Sequence, residues 1–344
     1  MTSENAVVTL AEPRTGKSTT KRRSSRFKPE QYGTILFFLA FFLFVSIKKG
    51  GVFLSFDNIF LAMAQNGQLA FIAVAATITL ITGQFDLSLG AVAGFAAVLT
   101  AGLTSIQGLP IWLAIIVTVV VGALVGLVNG LLVTKLRINV FIATLGTSGV
   151  VAGFALIYSQ GGIIYDGIPE ALTDFGKSKI GSVPIIVILP LLMTAAMWFI
   201  AKQTVLGRYW YAVGSNVESS RLAGVKVDRM ILLSLVFAGL LAAAGGVVFT
   251  TRFGSVDPTI GPGYLLPAYA AAFLGSSILS DGRFSVIGTV IAMFLVAYAQ
   301  SGLLILGLNF AEQIFNGVVL VAAVAVNETL RRRVKKIVKT GAPA

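Results

Sequence analysis

The stretch PIWLAIIVTVVVGALVGLVNGLLVT, residues 110–134, carries no charged side chain from end to end. As a helix rising 1.5 Å per residue, it is long enough to cross the ~30 Å hydrocarbon core of a bilayer. It also lacks the ten-residue alternation of a membrane barrel strand. The rest of the chain agrees with it. Of the 344 residues, 56% are hydrophobic and only 12% charged, where soluble domains are about half apolar and about a quarter charged. Mean hydropathy is +0.90. So few charges cannot cover a water-facing surface, whereas in lipid helices satisfy their own backbone and side chains stay apolar.

Apolar runs recur at about 32–47, 58–82, 88–106, 110–134, 139–160, 183–201, 230–250, 263–279, 284–306 and 309–327. The expectation is an all-α membrane protein of about ten transmembrane helices spanning 31–328. Polar basic tails flank it at 1–30 and 329–344, the first read as disordered. Nothing at the N-terminus resembles a cleavable signal peptide, because the first thirty residues are polar and basic. The longest polar connections are 161–182 and 202–229.

The chain has no cysteine and no histidine. This excludes disulfides, thiolate or imidazole metal sites, and Ser-His or Cys-His catalysis. The net charge of +12 invites a nucleic-acid reading, but the placement of the charge argues otherwise. With the N-terminus inside and ten alternating spans, only Lys48, Lys49, Lys177, Lys179 and Arg252 fall outside; the other 21 of 26 basic residues fall inside. That asymmetry is the positive-inside pattern, with both termini cytoplasmic. Gly16-Lys17-Ser18 imitates the end of a phosphate-binding loop, but the required first glycine is Ala11 and no strand precedes it. No nucleotide site is expected in this chain.

The two halves resemble each other at an offset of about 170 residues. Asp86-Leu87-Ser88-Leu89-Gly90 pairs with Asp257-Pro258-Thr259-Ile260-Gly261, and Asn139 with Asn309. Five spans separate the members of each pair, so the copies would be inverted, an arrangement that recurs in transporters.

Polar residues inside apolar runs are the candidate functional groups. Asp86 and Ser88 sit in Ile81–Gly90, either capping a helix or lining a pathway at a helix break. Gln65, Asn66 and Gln68 cover more than one helix face, as interhelical glue or as solute contacts. Asn129, Thr144, Thr147, Gln300, Glu312, Gln313 and Asn316 are lesser candidates. The small-residue steps Gly122–Gly126–Gly130, Gly90–Gly94 and Gly149–Gly153 are expected to pack helices closely. In the 202–229 loop, Asn216 can cap a short helix with Glu218 in its first turn and Gly224 just past its end. Such a helix suits docking into a partner's groove.

Phe85–Gly90, Phe141–Thr147, Gly207–Val225 and Leu274–Arg283 together resemble the permease subunit of bacterial ribose-type ABC sugar importers, over about residues 50–327. The resemblance implies a vitamin-importer-like permease fold in the bacterial inner membrane. It implies two permease copies forming the pore, two cytoplasmic ATPase subunits carrying ATP and Mg²⁺, and an extracytoplasmic sugar-binding protein. It also implies alternating access with no catalysis and no bound cofactor in this chain. The loop with Gly207, Arg208, Gly214, Asn216, Glu218, Arg221 and Gly224 matches the place where importer permeases contact the ATPase. The sequence departs from the family at Gly83-Gln84, at Ser219-Ser220 and at Asp281-Gly282-Arg283-Phe284. Pentose, hexose, polyol and furanose autoinducer all stay open as solutes. An ion-coupled transporter would favour several buried carboxylates, and here only Asp86, Asp257 and Glu312 lie near membrane depth. A membrane enzyme has no histidine or cysteine to work with.

Overall fold

The computed structural model describes residues 29–279 and 282–340. Arg14, Lys17 and the other basic residues of the first 28 positions lie outside the described residues, as does the imitation phosphate loop.

The helices in order are α1 (Pro29–Phe53), α2 (Phe56–Gln65), α3 (Gly67–Ile81), α4 (Leu89–Ser105), α5 (Ile111–Thr134), α6 (Val140–Tyr158) and α7 (Glu170–Lys177). A short antiparallel hairpin follows, β1 (Lys179–Ile180) and β2 (Val183–Pro184). Then come α8 (Ile185–Gln203), α9 (Val205–Ser215), α10 (Val217–Leu222), α11 (Val227–Phe253), a 3-10 turn (Gly261–Tyr264), α12 (Leu265–Leu279), α13 (Val286–Ile305) and α14 (Glu312–Thr340).

The chain is a multi-pass helical membrane protein. Each of the ten apolar runs holds a helix, but the runs are not equal. Among the described residues six helices are long and apolar enough to span a bilayer, namely α1, α5, α6, α8, α11 and α13. The pair α2–α3, bent by 54°, would make a seventh. The break is at Asn66, whose backbone leaves the helical region (φ −117°, ψ 13°) while its Nδ2 donates to Ala62 O at 3.2 Å. The α4 helix, 17 residues, reaches only about 25 Å.

Three boundaries differ from the sequence reading. Helix α1 opens at Pro29, inside the stretch read as tail; proline suits a first helical position because that amide has no partner anyway. Helix α14 runs on through Thr340 rather than ending near 327. The 202–229 connection holds two helices rather than one, because Thr204 Oγ1 accepts from Gly207 N at 3.3 Å and caps an additional helix, α9.

Helix α11 is the core of the molecule, packed against α3, α4 and α5. Glycines make this possible. A Cβ on Gly122 would meet Ala243 and Gly239, one on Gly126 would meet Leu235 O, and one on Gly246 would meet Ala93 and Ala96. The expected close packing of α5 is therefore present. The Gly149–Gly153 step on α6 departs from expectation, since with Gly146 it faces open space within 4 Å.

Helices α3 and α11 run antiparallel. Thr82 Oγ1 and Ser234 Oγ are 2.9 Å apart at one end, while Gly245 lies against Gln68 and Phe71 at the other. The packing order also repeats. As α11 packs on α4 and α5, so α3 packs on α12 and α13; as α4 packs on α5 and α6, so α12 packs on α13 and α14. Asp86 Oδ1 accepts from Ser88 N (2.8 Å) and Ser88 Oγ (2.6 Å), and Asp257 Oδ1 accepts from Thr259 N (2.8 Å) and Thr259 Oγ1 (2.7 Å). Gly90 and Gly261, two residues further on in each copy, touch each other through their backbones.

Candidate functional site

The residues expected to line a pathway fall into two groups. Asp86, Ser88, Asn129 and Thr144 form one buried cluster between α3 and α4, each 1% exposed or less. Asn129 Nδ2 donates to Ser88 Oγ at 2.9 Å, and Ser88 Oγ donates to Asp86 Oδ1 at 2.6 Å. Leu87 N donates to Thr144 Oγ1 at 3.0 Å. Tyr269, unforeseen from sequence, completes the cluster. Its hydroxyl accepts from Asp86 N and donates to Asp86 O, each at 2.8 Å, and its ring stacks on Phe85 with centroids 4.0 Å apart. Ser88 is the residue ahead of α4 but makes no side-chain cap. The carboxylate instead closes a turn two residues long, as Asp side chains do in loops. None of the four lines the large cavity described next; their hydrogen bonds hold the helix break.

Gln65, Asn66 and Gln68 lie elsewhere, on the wall of a cavity of about 320 Å³. Arg252, Tyr264, Gln300, Ser301 and Glu312 share that wall. The bend at Asn66 is what turns the amides of α2–α3 toward it. Gln68 Nε2 donates to Gln65 O at 3.0 Å and to Tyr264 Oη at 3.4 Å. Gln68 Oε1 and Arg252 Nη1 are buried and meet no partner among the described residues. The Arg252 guanidinium lies 4.4 Å over the Phe253 ring. Asn316 accepts from Gln300 Nε2 at 2.8 Å, one layer behind the wall, and Gln313 is exposed away from it. Arg252 and Tyr264 were missed as site residues. Arg252 was visible as a lone cation closing an apolar run, but only the fold brings it to Gln68.

The opposite end of α3 meets the 202–229 segment. Trp210 is fully buried, its Nε1 donating to Met230 O at 3.1 Å, and Gly214 presses on Ile81 O so closely that no side chain would fit. Gly207 similarly backs onto the Ala201 backbone. Tyr211 Oη donates to Phe284 O at 3.0 Å. Burial pushes the Tyr211 hydroxyl up to about 12, with Arg283 nearby opposing, so this donor stays protonated at physiological pH. Arg208 is exposed and reaches Gln203 O at 3.4 Å.

Helix α10 forms as the sequence implied. Asn216 Oδ1 accepts from Ser219 N at 2.9 Å, and Gly224 takes φ +81° just beyond the end. Glu218 and Arg221 pair at 3.2 Å on the surface. Val217 and Leu222 are exposed at 42% and 83%. Helix α9 is thus the buried foot of the segment and α10 its exposed head.

A multi-pass helical protein with a polar cavity at one end of its core and paired surface helices at the other has the architecture of a solute-translocating subunit. Comparison with known proteins gives the family. Residues 58–324 match the family model described as "Branched-chain amino acid transport system / permease component". The chain is 31% identical over 282 residues to the ribose import permease protein RbsC of Haemophilus influenzae, covering 81% of this chain and 87% of that one. It is 35% identical to RbsC of Bacillus subtilis, covering 78% and 82%. It is 32% identical to the autoinducer 2 import system permease protein LsrD of Klebsiella pneumoniae, covering 74% and 79%. No solved structure matches. The chain belongs to the permease subunits of ribose-type ABC sugar importers.

Proposed function

We propose that this chain is half of the translocation pore of an inner-membrane importer, carrying a sugar or sugar-like solute by alternating access driven by separate ATPase subunits. A second permease copy, identical or related, forms the other half. ATP and Mg²⁺ are held by the ATPase subunits, and an extracytoplasmic binding protein delivers the solute. The ten helical runs are ten crossings, some broken, in the vitamin-importer-like arrangement. The α3–α6 and α11–α14 units are inverted repeats, and both termini face the cytoplasm.

One observation carries this reading beyond the family. The α9–α10 segment touches the inner ends of α3 and α13 through Gly214 on Ile81 and Tyr211 on Phe284. The outer parts of the same two helices supply Gln68, Ala297, Gln300 and Ser301 to the cavity. A displacement of α10 by a closing ATPase dimer would therefore reach the cavity through two rigid helices, which is what a bistable transport cycle needs. Thr77 and Thr289, 2.6 Å apart, tie those helices to each other near the end that meets α9.

The test is solute uptake in cells lacking the cognate ATPase subunit. Uptake that disappears with the ATPase and resists a proton ionophore supports the reading. Uptake that persists without the ATPase and collapses with the ionophore overturns it in favour of an ion-coupled carrier.

A further inference from the structure

We propose that Arg137 is a positioning residue of the transport cycle, tying the α5–α6 turn to the first turn of α11 so that movement of α10 is carried to α6. The inference rests on the ATP-driven reading and deepens it, because it adds a path beside the contacts of α9 with α3 and α13.

Arg137 takes φ +56° just beyond the end of α5. A left-handed residue at such a place is usually glycine, since a Cβ is crowded there. Among the described residues only Gln160 shares this conformation without being glycine, and it lies just past the other end of α6. An arginine therefore strains a turn that glycine would make freely. What its side chain adds is a fork: Nη1 donates to Asp228 Oδ1 at 3.0 Å and Nη2 to Oδ2 at 2.9 Å. The two side chains are 65% and 45% exposed, and exposed ion pairs contribute little to stability. Strain kept for so small a return points to a functional position. The fork also fixes orientation, which a single ammonium would not.

The tie sits where a displacement would pass. On one side, Asp228 closely follows α10, and the connection is stiffened by Val225 N, which donates to Ser220 O at 3.0 Å. On the other, Asn139 is next but one to Arg137 and caps α6, its Oδ1 accepting from Phe141 N at 2.9 Å. Further along α6, Thr144 Oγ1 accepts from Leu87 N at 3.0 Å, so the helix reaches the break between α3 and α4. Among the described residues, no other side-chain hydrogen bond joins positions 135–139 to α11.

The test uses the complete importer in proteoliposomes, with its ATPase and binding protein. The probe is whichever of ribose, other pentoses and hexoses the unaltered importer accumulates, and the reading is sugar moved per ATP hydrolysed. Arg137→Gly relieves the turn and removes the fork. Its thermal unfolding midpoint should be no lower than the parent's, while sugar per ATP should fall about fivefold, the lower end of couplings between sites. A purely structural role would move both readings down together. Arg137→Lys, which keeps the charge without the fork, should fall between the two. Exchanging the charges, Arg137→Asp with Asp228→Arg, should recover more than either substitution alone. A parental ratio in Arg137→Gly, or an exchange no better than its single substitutions, overturns the tie. So does loss of the ATPase from the purified Arg137→Gly complex, which would make the pair a direct subunit contact. Uptake by the unaltered importer without any ATPase, or accumulation of none of these sugars, overturns the functional reading instead.

Discussion

Asp86 is the joint between α3 and α4, held by a short chain of side-chain hydrogen bonds. Both hydrogen bonds to its Oδ1 come from Ser88, and the serine passes the interaction on to Asn129. Removing one partner from such a buried chain leaves the others unsatisfied, at about 1–3 kcal/mol per orphaned group. Asp86→Ala should therefore lower stability by about that amount in detergent, read by thermal unfolding, while Gln313→Ala on the exposed start of α14 should change it by less than about 0.5 kcal/mol. At the other copy of the turn, Thr259 donates two hydrogen bonds to Asp257, and these hold its carboxyl below the ordinary carboxylate value. The likeness of the two segments was legible in sequence, although Asp86 reads there as a helix cap or pathway residue and not as closing a turn onto Ser88. Tyr269 was not legible, since its bond to Asp86 spans 183 positions and no local pattern announces it.

At the scale of elements, α9 is the contact through which the proposed coupling would reach α3. Gly214→Val cannot be accommodated against Ile81 O without moving α9 off α3. The reconstituted complex should lose solute-stimulated ATP hydrolysis while each subunit still assembles in the membrane; stimulation at wild-type level would show that this contact is dispensable. The Tyr211 anchor adds a pH signature. Its folded-state pKa is raised from an ordinary 10.0 to about 12, so its contribution is complete below about pH 10 and is lost as pH climbs through 12. Alkaline unfolding should accordingly show a step in that window that Tyr211→Phe removes. The existence of the helices was readable from apolar runs, which in a membrane protein are nearly continuous. Their breaks were harder. The α2–α3 pair is bent by 54° at Asn66 inside a run that reads as one span, and Gly67 beside the bend backs onto Ile186 of a distant helix.

For the whole molecule, the sidedness matters most. The exposed pair Glu218–Arg221 is an i,i+3 surface ion pair worth no more than about 1 kcal/mol to this chain. Glu218→Lys or Arg221→Glu should therefore leave folding and insertion unchanged and act only through a partner. The expected outcome is loss of ATPase coupling in proteoliposomes, and normal substrate-stimulated hydrolysis would exclude α10 as the contact. The division of the candidate residues between a buried cluster and an open cavity was not legible in the sequence. Asp86 and Gln68 lie 18 positions apart, yet Tyr269 of α12 holds the first in a buried cluster while the second lies on the cavity wall.

Gly90 and Gly261 hold corresponding places in two similar segments and rest on each other. At such a meeting of like with like, any added bulk on one side presses on the residue least able to retreat, and the same is true in reverse. Ordinary compensation, in which one neighbour shrinks as the other grows, has no room here, because both partners are already the smallest residue available. Along this seam the two halves must keep the same answer.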